Sequence, residues 1–238
     1  MGAAMDMLRK RAMQRPTPFT SERIAFLDPI FGNLWCQEYK RDFKGKEKTF
    51  LFGEGYINMY NGLTPTFCPT HQKWVTDVDT LYIAHNTNDV HWVGVVVDLV
   101  NRNVKVYDSI LSGYQDNVVA ESCRPYTKMI PKLLKAAAPP EKRKGMTEAA
   151  FQFYRKKSNI PQHIQSGDCG VYTVKFLECL ALGHTMDGIC DATVPAIRLK
   201  LAADILEEAP FVDLAIQVSD PNPRTNPDDK VPLQTDSG

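Results

Sequence analysis

Apolar and polar positions follow two rhythms along this chain, helical towards its ends and strand-like in its middle. Met5, Met7, Leu8 and Met13 make a weak helical stripe within residues 1–18, a basic stretch closing on Arg15-Pro16-Thr17-Pro18 that predicts a short entry helix. Residues 24–63 mix aromatic positions with Gly32, Gly53, Gly55 and Gly62, which predicts short helical pieces and turns. Thr64-Pro65 and Cys68-Pro69 break the chain again. From Trp74 the spacing turns β-like, with a strand over residues 80–84 and two further apolar runs at 91–99 and 104–109. Asn101-Arg102-Asn103 between those runs is a turn-forming cluster, so an antiparallel hairpin is expected.

After the hairpin the helical rhythm returns. Val118, Val119, Tyr126, Ile130, Leu133 and Leu134 predict helices within 114–138, interrupted at Pro125 and Pro131. Residues 138–145, with Lys142-Arg143-Lys144, read as an exposed basic loop; a nuclear-localisation or acidic-partner role competes there with a plain solvated surface. Phe151, Phe153 and Tyr154 stand among Arg155, Lys156 and Lys157, and read as core residues of an edge strand rather than as a base-stacking face. Val171, Val174, Phe176, Leu177 and Leu180 predict a helix over 169–182, stopped by Gly183. Another is predicted over 193–208, with Val194, Ile197, Leu201, Ile205 and Leu206 as its buried stripe. Residues 213–238 carry too little apolar surface to repay ordering and are expected to be a flexible tail. The class expected is α+β: a central, mainly antiparallel sheet flanked by helices.

Composition narrows the functions available. With 238 residues, 43% of them hydrophobic, the chain can build one substantial core. Its formal net charge is zero, so no global field draws it to nucleic acid or to an anionic membrane. No apolar run approaches the roughly 20 residues that span a bilayer, and residues 1–20 lack a signal-peptide core, so a soluble intracellular protein is expected. Six cysteines are too sparse for a disulfide framework and are expected as reduced thiols. Cys68-Pro69-Thr70-His71 has metal-like spacing and His85 lies downstream, but no second ligand pair completes four positions, so no metal and no cofactor are expected.

The candidate chemistry centres on Cys169, where the polar segment Gln165-Ser166-Gly167-Asp168 turns into the apolar-periodic helix. A thiol on the first turn of a helix meets unpaired N–H groups and the positive end of the helix dipole, which favour the thiolate that attacks carbonyl carbon. His91 opens one hairpin strand and Asp108 closes the other, so the two are expected on one rim within a few residues of register. A Cys-His-Asp hydrolase follows, with His91 as base and Asp108 as its orienting carboxylate. Each residue has a plainer reading: Cys169 as a buried core thiol, His91 as a satisfied strand-end histidine, Asp108 as a turn acceptor, Trp92 as core packing. Asp168 reads as a helix cap, and His71, His85, His163 and His184 have no assigned chemistry.

His91-Trp92, the strand that follows, Tyr107-Asp108-Ser109, and Pro161-Gln162 leading to Asp168-Cys169-Gly170 resemble the ubiquitin-like-protein proteases, the SUMO-specific cysteine proteases related to adenovirus protease. Arg23-Ile24-Ala25-Phe26-Leu27-Asp28 and residues 73–79 are similar to divergent members carried by plant transposable elements. The resemblance covers residues 21–210 and implies a papain-like, adenovirus-protease-like fold. It implies Cys169 as nucleophile, His91 as general base, Asp108 as its partner, and Trp92 as the roof of a tunnel for a diglycine tail. Two positions depart from the family pattern. His163 stands six residues before Cys169, where the oxyanion-hole glutamine belongs, which leaves Gln162 or Gln165, with Gln162 preferred. The second tunnel tryptophan has no direct match, with Phe52, Trp35 or Trp74 as replacements.

The resulting expectation is a peptidase that hydrolyses peptide or isopeptide bonds after the C-terminal glycine of a SUMO-type modifier. Its partners would be that modifier and its conjugates, it would act as a monomer in the nucleus or cytoplasm, and nucleic acid and membrane would not be among its partners. Residues 1–20 are expected as a basic N-terminal segment, 21–212 as the catalytic domain and 213–238 as the tail. Two rivals remain, a modifier-binding module without activity and, less favoured, a thiol acetyltransferase.

Overall fold

A computed structural model of the chain describes residues 1–164 and 167–208. Helix α1 (Gly2–Met13) leads to strand β1 (Ile24–Leu27), helix α2 (Pro29–Glu38), a π-helical turn (Tyr39–Phe43) and helix α3 (Glu54–Tyr60). Strands β2 (Thr80–Thr87), β3 (His91–Asp98) and β4 (Asn103–Tyr107) follow, then helices α4 (Asp116–Ser122), α5 (Arg124–Ala137) and the short α6 (Pro140–Arg143). Strand β5 (Gln152–Lys156) and helices α7 (Cys169–Leu182) and α8 (Val194–Glu208) complete the order. The expected tail, 213–238, lies outside the described residues.

The five strands form one sheet in the order β1-β2-β3-β4-β5. Its centre is antiparallel, while β1 joins β2 and β5 joins β4 in parallel, so the sheet is mixed. Both parallel edges need crossovers, which α2 and α3 supply on one side and α4 to α6 on the other. Strand alternation then separates two cores. Leu81, Ile83, Val93, Val95, Val97, Val104 and Val106 face an aromatic layer with Phe31, Trp35, Trp74 and Tyr126. Tyr82, Ala84 and Val96 face the opposite layer, where Met5, Met7, Leu8, Tyr172, Phe176 and Leu177 pack.

Several elements depart from expectation for identifiable reasons. Residues 24–27 form a strand that is buried throughout, so four apolar positions without alternation were a sheet edge covered on both faces. Pro125 does not break a helix but starts α5, and Pro131 sits inside it. Pro131 has no N–H to give to the Thr127 carbonyl; the Phe151 N–H takes that carbonyl instead, at 2.8 Å, which ties α5 to the start of β5. Residues 140–143 make a single helical turn within the exposed basic stretch. On α8, Val194 is buried and Ile197, Leu201 and Ile205 are partly so, but Leu206 points outward.

α1 belongs to the second core, and a charge cluster fixes it there. Arg11 reaches Glu178 on α7 at 2.8 Å and Asp204 and Glu208 on α8 at 3.2 and 2.5 Å. α7 ends where Gly183 takes a left-handed φ of 68°. Halfway along β3, Gly94 leaves room for Leu177: a Cβ at Gly94 would lie 3.1 Å from Leu177 Cδ2, so α7 rests directly on the strand backbone. Among the described residues no helix is long and apolar enough to cross a membrane.

Candidate active site

The hairpin sets the first half of the site. Asn88 and Asp89 take left-handed φ values of 55° and 60°, a tight turn that pairs Thr87 with His91 at the rim of the sheet. Gly94 pairs with Tyr107, so Asp108, one residue past the end of β4, comes alongside His91. His91 Nε2 and Asp108 Oδ1 are 2.7 Å apart, and both side chains are buried. The Ile110 N–H also donates to Oδ1, at 2.8 Å, while Oδ2 accepts from Arg155 Nη2 at 2.5 Å. Burial would push the Asp108 carboxyl up, but hydrogen bonds from His91, Ile110 and Arg155 outweigh it and hold the group below its ordinary range.

The second half comes from the other core. Cys169 is the first residue of α7, and its sulfur meets the His91 side chain and the N–H groups of Trp92 and Gly170. Because Asp108 occupies Nε2, Nδ1 is the ring nitrogen left for the thiol. Burial opposes ionisation of Cys169, yet His91 and the two N–H groups prevail and lower its pKa. Burial likewise opposes a charged His91, and its bonds to Asp108 and Cys169 overcome that and raise it to about 9. Both shifts favour the thiolate–imidazolium pair over the neutral one. Tyr114 stacks on the His91 ring, with centroids 5.9 Å apart at 26°.

Trp92 is half-buried, and its ring faces Gly170, directly after Cys169. It forms the wall of an open groove of about 390 Å³ between α1, α7 and α8, with Met1, Val174, Leu201 and Ile205. The three candidates for a second tunnel aromatic are elsewhere: Trp35 and Trp74 are fully buried in the first core, and Phe52 stacks on Trp35 there. Met1, 3.4 Å from where a Gly170 Cβ would lie, is the apolar side chain that accompanies Trp92.

Gln162 departs from its expected role. Its amide nitrogen lies on the carbonyls of Asp108, Ile160 and Pro161 at 2.9, 3.2 and 3.3 Å, and its oxygen accepts the Leu111 N–H at 2.7 Å. An amide with both hydrogens on backbone carbonyls braces the loop after Asp108 rather than facing the thiol. Gln165 lies outside the described residues. His163 is buried and stacks on Tyr172, with ring centroids 4.8 Å apart. Asp168 occupies the N-cap position, but its carboxylate pairs with Arg198 on α8 and makes no cap bond. Among the described residues no cluster of His, Cys, Asp or Glu could hold a metal ion.

Arg155 was overlooked in the sequence. Along β5 it shares the inward parity of Phe151 and Phe153, and an inward-facing arginine on a strand requires a buried counter-charge. That counter-charge is Asp108.

Residues 1–210 match the family described as the Ulp1 protease family, C-terminal catalytic domain. The chain is similar to sentrin-specific protease 5 of Homo sapiens and of Macaca fascicularis, each 28% identical over 152 residues, 62% of this chain. It spans only 18% of the length of those relatives. Among solved structures it is similar to the C-terminal Ulp1 protease domain in complex with Smt3, the yeast ortholog of SUMO, at a TM-score of 0.54 and 16% identity, over 87% of this chain and 76% of that one. A second is the Chaetomium thermophilum Ulp1-like SUMO protease catalytic domain, at 0.52 and 19% identity, over 87% and 68%. The fold is accordingly α+β and papain-like, of the Ulp1 type.

Proposed function

The chain belongs to the Ulp1 protease family of cysteine proteases, and we propose that it hydrolyses peptide or isopeptide bonds after the C-terminal glycine of a SUMO-type modifier. The observation that carries this reading is the unbroken row Asp108–His91–Cys169 at the mouth of a groove walled by Trp92. Residues 21–212 are the catalytic unit in this reading, with α1 clamped to it through Arg11. Two solved structures of similar fold are SUMO proteases, which directs the choice of modifier.

The thiolate of Cys169 attacks the glycine carbonyl carbon, and its electron pair forms the C–S bond as the carbonyl oxygen becomes an oxyanion. The Cys169 N–H, at the start of α7, is placed to receive that oxyanion. As the oxyanion collapses, the C–N bond breaks and His91 gives its proton from Nδ1 to the leaving amine. Neutral His91 then takes a proton from the water that attacks the thioester carbon, and the C–S bond breaks to release the modifier's C-terminal carboxyl group and return the thiolate. Asp108 holds the imidazole in one orientation throughout and supports its charged form. In this reading Trp92 covers the diglycine tail beside Gly170. Partners are then the modifier and its conjugates, met by a monomer in the nucleus or cytoplasm.

A SUMO vinyl sulfone probe tests the reading, with a panel of modifier–fluorophore substrates run on wild type and Cys169→Ala. Labelling at Cys169 and turnover lost in Cys169→Ala are expected. The Gln162 amide, bonded away from the thiol, favours a second reading, a modifier-binding module without turnover. Tight modifier binding with no labelling would establish that reading instead.

A further inference from the structure

We propose that Arg155 is the positioning residue of this site, fixing with one guanidinium both the carboxylate that orients His91 and the loop that covers the imidazole ring. The proposal rests on the catalytic reading of the Asp108–His91–Cys169 row. Arg155 lies on β5 opposite Val106, and its side chain is only 3% exposed. Nη2 donates to Asp108 Oδ2 at 2.5 Å and to the Leu111 carbonyl at 3.3 Å. Nη1 donates to the Tyr114 carbonyl at 2.8 Å and to Asp116 Oδ1 at 2.9 Å. The loop from Asp108 to Asp116 is thus wound around a single planar group, and that loop carries Tyr114 onto the face of His91.

The division of labour at Asp108 follows from its burial. Oδ1 serves His91 and the Ile110 N–H, and Oδ2 has Arg155 as its side-chain partner. Without Arg155 the outer oxygen would be a buried acceptor that has lost its side-chain donor, which favours rotation of the carboxylate or uptake of a proton. Either response withdraws Oδ1 from His91. Charge order points the same way: the Arg155 cation, the Asp108 carboxylate and the His91 imidazolium alternate in sign along the row. A lysine could supply the charge but not the planar fork that serves Asp108 and the 111–116 loop together.

The test is an NMR titration of the imidazoles, readable because the chain has five histidines, alongside modifier–fluorophore kinetics. In Arg155→Met the Asp108 carboxylate is expected to turn from the ring, so that the His91 titration falls from about 9 although loss of a nearby cation alone would raise it, and kcat falls about 100-fold with KM nearly unchanged. Arg155→Lys, the milder variant should Arg155→Met not fold, is expected to give an intermediate titration and a kcat loss of about tenfold. A folded Arg155→Met or Arg155→Lys whose His91 still titrates near 9 with wild-type kcat overturns the proposal. The titration needs no modifier, so a wild type that cleaves none of the panel removes the peptidase reading and leaves this one to be judged on His91 alone.

Discussion

Two histidines six residues apart show what makes one of them reactive. His85 on β2 and His91 on β3 are equally buried, each 3% exposed, and each has a cysteine in its cluster. His85 Nδ1 meets the hydroxyl of Tyr126 at 3.0 Å, and Tyr126 in turn meets Cys36. Burial, with a smaller push from Lys40, takes His85 down to about 4, and burial takes Cys36 up to about 11. His91 goes the other way, to about 9, and Cys169 goes down. The residue types match; the partner differs. A neutral phenol cannot offset the loss of hydration that a buried charge suffers, whereas a carboxylate can. The first cluster is therefore held in its neutral form by burial, and the second favours moving a proton from thiol to imidazole.

The comparison breaks most sharply at Cys169. Cys169→Ala is expected to lower turnover of a modifier–fluorophore by on the order of 10⁵-fold or more, while Cys36→Ala leaves it within about twofold; substantial turnover by the first variant would end the catalytic assignment. Replacing the partner comes next. Asp108→Asn keeps the shape and removes the charge, so kcat should drop by roughly 10⁴-fold and the His91 titration should fall from about 9.

A third test uses alkylation by iodoacetamide at pH 7, followed by peptide mapping. Cys169 is expected to react about 100-fold faster or more than Cys36 and Cys123, whose thiols burial holds near 11 and 12. The pH profile sharpens the point further. Turnover should fall on the alkaline side as pH passes about 9, where His91 loses the proton it gives to the leaving amine. On the acid side it should fall once the lowered pKa of Cys169 is crossed and the thiolate is protonated. A profile that kept rising through pH 10 would contradict the imidazolium. The smallest effect belongs to the inert cluster: Tyr126→Phe should cost about 1–3 kcal/mol of stability by leaving His85 without its partner, with no change in kcat.

How much of this was legible depended on whether the cause was local. The hairpin and the stop at Gly183 follow from neighbouring residues, a turn cluster and a residue that tolerates positive φ, so pattern sufficed. β1 was missed because a short strand covered on both faces does not alternate. Pro131 was read as a break because the carbonyl it leaves open is taken by Phe151, some 20 residues away, a partner that sequence cannot announce. Gln162 was read from its nearness to Cys169 along the chain, but folding turned its amide to Asp108, on the far side of the row. Arg155 carried a usable signal in its parity on β5, obscured by the basic run around it.

Gly94 gives the molecule a built-in strain gauge. His91 and Asp108 are fixed to the sheet and the Cys169 sulfur to a helix, so the gap across which the proton moves depends on how closely Leu177 can rest on a bare stretch of backbone. A methyl at Gly94, hydrostatic pressure or a wedge lodged under the helix would each be read out first as a slower thiol. Reactivity would fade while the rest of the protein still looked native.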